Sequence, residues 1–167
     1  MNYIIRKKEQ KDCYDIAHVV TVSWNETYQG IVPNDFLNDL KENEKERALN
    51  SYNEFNVNDN HQFVLEINNN IVGFINVGIS EDKEYTNCGE IFALYILNDY
   101  KGIGYGRKLV EVGIEELKKM GCNKMIIGCL DGNPSNEFYQ HIGGEKIKTR
   151  IFEKLNLPET VYLFEKI

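Results

Sequence analysis

The spacing of apolar side chains changes period several times along the chain, and each change predicts a new element. Residues 3–6 read as a short strand. Across residues 12–22, Ile16, Val19 and Val20 fall at helical spacing, with Asp12 placed to cap the helix. Pro33 stands where a first helical turn begins, and Phe36, Leu37 and Leu40 predict a short amphipathic helix running on into the charged segment 41–47. The Asn-rich stretch 50–60 reads as a loop. Residues 63–67 and 71–77 read as two strands, and Asn68, Asn69 and Asn70 between them predict an antiparallel hairpin.

Residues 90–97 run almost without a polar side chain, as in a strand covered on both faces, and mark the centre of a sheet. In 107–120 the positions Val110, Ile114 and Leu117 recur at helical spacing, and Gly121 supplies the stop. A buried strand at 124–130, a short helix at 134–142, a strand at 144–151 and a last strand at 160–164 complete the chain. Antiparallel strands come first, then strand, helix and strand, then a helix and a terminal hairpin. That order predicts an α/β fold (α+β in some schemes), a mixed sheet with helices on both faces, in one domain over residues 1–167.

Composition changes the picture only by exclusion. The chain has 167 residues, 42% of them hydrophobic, enough for a core of ordinary globular size. Nineteen basic against 26 acidic residues give a net charge of −7 without a basic patch, which argues against nucleic acid and mildly favours cationic small molecules. The longest apolar run, 91–97, is too short to span a bilayer, and the first residues lack the layout of a signal peptide, so a cytoplasmic protein with no membrane partner is expected. Cys13, Cys88, Cys122 and Cys129 show no metal or disulfide spacing and read as free thiols. His18, His61 and His141 stand apart, and no metal site is expected.

The chemistry concentrates between residues 97 and 107, where a buried strand meets an amphipathic helix through Lys101, Gly102, Ile103, Gly104, Tyr105, Gly106 and Arg107. Glycines let the backbone approach a ligand, and the first amides of a helix point outward unpaired, which suits a phosphate. A dinucleotide fingerprint from Gly102 needs glycine where Arg107 stands, and one from Gly104 needs it where Leu109 stands. Gly106, Arg107 and Lys108 do not form a Walker ending either. What stands is Lys101-x-x-Gly104-x-Gly106 capping a helix.

With that loop the sequence resembles the GNAT superfamily of N-acetyltransferases, whose loop reads Gln or Arg, two residues, Gly, one residue, Gly or Ala; Lys101 is the departure. The resemblance extends to residues 90–97 as a fourth strand, to the run 133–139 followed by Gly143 and Gly144, and to residues 23–33. It implies a mostly antiparallel sheet of about seven strands with a V-shaped splay between strands 4 and 5. It further implies acetyl-CoA as co-substrate, its pantetheine pairing with backbone near Tyr95, Ile96 and Leu97, its pyrophosphate on the loop from Lys101 to Arg107, and Asn133 holding the pantetheine arm.

In the mechanism so implied, a primary amine on a small molecule or peptide attacks the acetyl group directly in a ternary complex. Glu90 stands 14 residues before Gly104 (104 − 90), the separation of the glutamate base in histone-type members. Along a regular strand it shares a face with Phe92, Leu94 and Ile96, apolar neighbours able to raise its pKa. Tyr139 matches the position whose phenol protonates the leaving thiolate, and Trp24 and Tyr28 fall in a region that walls the acceptor site, although core packing explains these aromatics equally well. The rival readings are a non-catalytic acyl-CoA-binding module of the same fold and, further off, a dinucleotide-dependent oxidoreductase. A homodimer through the final strand and its neighbouring hairpin is also open.

Overall fold

The computed structural model describes residues 2–167. In chain order the elements are β1 (Tyr3–Lys7), α1 (Cys13–Thr27), α2 (Asn34–Glu42), α3 (Glu44–Glu54), β2 (Gln62–Ile67), β3 (Asn70–Ile79) and β4 (Gly89–Ile96). Then come α4 (Tyr105–Lys119), β5 (Met125–Leu130), α5 (Ser135–His141), β6 (Glu145–Phe152) and β7 (Leu157–Phe164). The strands form one seven-stranded sheet in the order β1-β2-β3-β4-β5-β7-β6. β1 with β2, β2 with β3, β5 with β7 and β6 with β7 run antiparallel, while β4 and β5 run parallel. This is the mixed, mostly antiparallel α/β sheet the sequence predicts. No helix among the described residues is long and apolar enough to cross a membrane.

Backbone contacts divide the chain into two compact units. The first comprises Met1–Asn76 and Ala93–Val112. Its hairpin turns on Asn68 and Asn69, both at positive φ (51° and 65°), as a two-residue connection that follows the strand twist requires. Ile16 and Val19 of α1 pack on Val64, Ile71 and Phe74 of the hairpin, with Ala93, Tyr95 and Leu97 against them. Arg6 ties the entry of α1 to the sheet: its Nη1 and Nη2 donate to Asp12 at 2.7 and 3.0 Å, and its Nε donates to Glu66 at 3.0 Å.

Two expectations change here. Asp12 does not cap α1 through its side chain; the carboxylate turns back to Arg6 and to the Glu9 amide at 2.7 Å. The charged segment and part of the Asn-rich loop form a separate helix, α3, whose Arg47 donates to Thr21 Oγ1 and to the Leu40 carbonyl, both at 2.7 Å. That guanidinium satisfies groups of α1 and α2, so α3 is held by polar contacts that an apolar count does not register.

The second unit comprises Val77–Phe92 and Gly113–Ile167. Cys88, Ile126, Val161 and Leu163 form its core with Tyr85 and Ile147 against them. Gly121 ends α4 with paired bonds: its amide donates to the Lys118 carbonyl, and that of Cys122 to the Leu117 carbonyl, both at 3.0 Å, a Schellman closure.

Burial alone would raise the pKa of Asp12, but the Arg6 guanidinium and the Glu9 amide outweigh it and hold the carboxyl below its ordinary range. A group depressed in the fold lends stability above its unfolded pKa and withdraws it as pH falls through the folded value. Asp12→Asn should therefore lose about 1–3 kcal/mol at pH 7, a gap that narrows toward pH 3; urea melts at the two pH values measure it, and a pH-independent gap would contradict the charge assignment.

Candidate active site

In the first unit, β4 hands over to α4 through the loop singled out in the sequence. The Leu97 amide donates to the Val72 carbonyl at 2.9 Å and its carbonyl accepts from Tyr100 at 2.9 Å, so the Leu97 backbone is committed within the protein. Gly102 and Gly104 follow at φ +76° and +95°, and α4 starts at Tyr105, two residues earlier than the periodicity predicts. A Cβ at either glycine would meet nothing within 4 Å, so glycine is required there for backbone conformation rather than for room. Gly106 lies inside the first turn of α4. The first intrahelical bond of α4 runs from Lys108 to the Gly104 carbonyl at 3.3 Å, and the amides before it have no helical acceptor. Lys101, Gly102, Ile103, Gly104 and Arg107 are all exposed, whereas Lys108 lies over the Tyr3 ring at 5.4 Å.

The Gly89 amide bonds the Lys124 carbonyl on the β5 side, while the Cys88 carbonyl and the Leu97 amide bond Ser80 and Val72 on the β3 side. The β2–β3 register shifts between Leu65 and Glu66. The parallel ladder with β5 covers Gly89, Glu90 and Ile91 opposite Met125, Ile126 and Ile127.

Trp24 and Tyr28, expected as acceptor contacts or as core, are 7% and 6% exposed and belong to an aromatic core. Their rings lie 4.4 Å apart, Phe36 packs on Trp24 at 5.2 Å, and the Trp24 indole donates to the Tyr95 hydroxyl at 3.0 Å. Glu26, in the last turn of α1, accepts from the Asn98 amide at 3.4 Å. An open depression of about 560 Å³ on α1, lined by His18, Thr21, Asn25, Glu26 and Lys41 among others, contains none of the predicted site residues.

In the second unit, Glu90 is 5% exposed and its surroundings are not the apolar ones expected. Phe92, its presumed shield, is 46% exposed, and the group facing the Glu90 carboxylate is Arg150, with Nη1 2.9 Å from Oε1. This contact is ionic, outside the direction of a hydrogen bond, and Oε1 makes no other. The same guanidinium donates through Nε to Glu159 at 2.6 Å and through Nη1 to Asp82 at 3.1 Å, while Lys148 neutralises Asp82 at 2.9 Å. Burial pushes the Glu90 carboxyl above its ordinary range, Arg150 offsets this only in part, and the charges of Glu159 and Asp82 add to it.

Arg150, Glu159, Asp82 and Gly128 were not singled out by the sequence reading. A charged residue within the buried strand β7, Glu159, was the available signal, because such a side chain needs a partner.

Tyr139 is 5% exposed on α5, its ring 6.0 Å from that of Tyr162. The Asn133 side-chain carbonyl accepts from the Ser135 amide at 2.8 Å and so caps α5. The four thiols are unpaired and buried, and burial pushes Cys88 up to about 11 and Cys129 up to about 12. Among the described residues, no group of three His, Cys, Asp or Glu side chains is arranged to hold a metal.

The model of the acetyltransferase (GNAT) family matches residues 24–143. An uncharacterized N-acetyltransferase of Bacillus subtilis (strain 168), YuaI, is 32% identical over 150 residues, covering 89% of this chain and 84% of that protein. Among solved structures, the PaiA N-acetyltransferase of Thermoplasma acidophilum in complex with coenzyme A superposes with a TM-score of 0.80 at 23% identity, over 100% of both chains. YncA of Salmonella typhimurium, a putative acetyltransferase solved with its cofactor acetyl-CoA, gives 0.64 at 21% identity over 98% of this chain and 94% of that one.

Two measurements check the chemistry described. All four thiols should resist Ellman's reagent at pH 8 in the folded protein and react only on unfolding, and a fast-reacting thiol would contradict their burial. A carboxyl raised in the fold costs stability as pH climbs through the carboxylate range. Glu90→Gln should accordingly melt in urea at or above the wild-type midpoint at pH 7, with the difference shrinking toward pH 4.

Proposed function

The chain belongs to the GNAT acetyltransferase family, and on that footing we propose that it moves the acetyl group of acetyl-CoA to a primary amine by direct attack in a ternary complex. The observation that carries this reading is the start of α4, whose first amides have no helical acceptor, behind two positive-φ glycines in an exposed loop. Such a helix start attracts a diphosphate through its free N–H groups and the positive end of its dipole. Lys101 and Arg107 add exposed cations to the same loop.

Because Leu97 turns its backbone to β3, alternation aims the Ile96 amide and carbonyl at the opposite edge of β4, where an extended pantetheine arm could pair as a strand would. The same amide is the candidate donor to the oxyanion. Tyr95 supports that stretch through its bond from Trp24, and Asn133 orders the start of α5.

Acyl transfer then asks for three proton movements. An amine is mostly protonated near neutrality and must lose a proton before its lone pair can attack, and Glu90, directly or through one water, accepts it. As the tetrahedral intermediate collapses and the C–S bond breaks, the Tyr139 hydroxyl gives its proton to the departing sulfur, and the second proton lost by the attacking nitrogen restores the phenol through solvent.

Calorimetric titration with acetyl-CoA tests the seat. Wild type should bind, and Gly104→Val, forced to φ +95°, should bind roughly tenfold more weakly or worse; unchanged affinity would remove the loop from the proposal. An acceptor panel of polyamines, aminoglycosides and lysine peptides, read by CoA release, tests turnover. Tyr139→Phe and Glu90→Gln should keep acetyl-CoA binding and lose roughly 10²- to 10⁴-fold in kcat. Tight donor binding with no turnover of any amine would point instead to a binding module.

A further inference from the structure

We infer that Arg150, lying along the sheet over the space left by Gly128, is the positioning residue for Glu90 and holds its carboxylate in the charged, proton-accepting form. The inference rests on the reading of Glu90 as the base.

Its footing is geometric. Arg150 stands on β6 and Glu90 on β4, with β5 and β7 between them in the sheet order. Three strand spacings of about 4.8 Å separate the two backbones, a span that the arginine and glutamate side chains close only by extending toward each other along the sheet face. The register supplies the path: Arg150 is opposite Glu159, Val161 is opposite Gly128, and Gly128 is two residues along β5 from Ile126, the parallel partner of Glu90. A Cβ at Gly128 would stand 2.7 Å from Arg150 Nη2 and 2.6 Å from Glu159 Oε2. Any side chain at position 128 therefore has to displace the guanidinium or its carboxylate partner.

The contacts also sort the acids. Asp82 is doubly engaged by Lys148 and Arg150 and accepts nothing further from a substrate proton; burial opposes its ionisation, but those bonds and the Glu84 amide hold it below the usual carboxylate range. Glu159 takes the short Nε bond. Glu90 receives the remaining, poorly directed share of Nη1, and burial lifts its proton affinity. One guanidinium divided in this way gives Glu90 the least directed contact of the three, and a carboxylate of raised proton affinity is what a base requires. The charged and titratable groups facing it are Arg150 from β6, Glu159 from β7, Asp82 from the β3–β4 connection and the Cys88 thiol just before its own strand.

Carbon-13 NMR titration of the Glu90 carboxyl, without any ligand, reads this directly, with Glu90→Gln identifying the resonance. An opposite charge at this distance lowers a carboxyl pKa by roughly one to three on the pH scale, so Arg150→Met should move the Glu90 midpoint up by about that much. Arg150→Lys should move it less. Gly128→Ala should move it in the same direction as Arg150→Met with no change of formal charge.

In turnover of whichever of spermidine, kanamycin and a lysine peptide is acetylated, the acidic limb of kcat/KM should follow, so that Arg150→Met is impaired at pH 6.5 and recovers toward pH 9. An unmoved Glu90 midpoint in both Arg150→Met and Gly128→Ala overturns the inference, as does an activity loss equal at every pH. Full activity in Glu90→Gln would fail the base assignment instead, and the NMR midpoints would still decide whether Arg150 governs the carboxyl.

Discussion

A carboxylate taken almost wholly out of water must be compensated, and in this protein the compensation is one guanidinium divided among three acids. That shortage orders the second unit. Arg150 fixes β6 and β7 to each other through Glu159, reaches the β3–β4 connection through Asp82, and still touches the strand that carries Glu90. An arrangement with one full cation per carboxylate would pair each acid more strongly and favour its charged form.

The first unit solves the complementary problem, that of offering charge rather than containing it. Gly102 and Gly104 turn the chain at positive φ into α4, whose first amides have no helical acceptor. Lys101, Arg107 and Lys108 are the exposed cations of that segment, Lys108 also lying over the Tyr3 ring.

What the sequence disclosed and what it hid follow from the range of the forces involved. Periodicity located every strand to within a few residues, because side-chain burial repeats locally, and Asn68 and Asn69 announced their turn by residue type. The glycine loop was equally legible, being contiguous. α3 escaped because its anchor is Arg47, reaching groups of two other helices. The surroundings of Glu90 escaped because Arg150 lies 60 positions further on (150 − 90) and meets it only through the strand order. Local rules see along a strand; they do not see across four.

The empty place at Gly128 has a further consequence, for inheritance rather than for energy. A lineage that acquires even a methyl group there loses the route by which the arginine crosses the sheet, and a lineage that gives up the arginine has no remaining use for the vacancy. Descendants of this fold should keep both features or neither, so that the two positions, 22 residues apart (150 − 128) on non-adjacent strands, evolve as a single character.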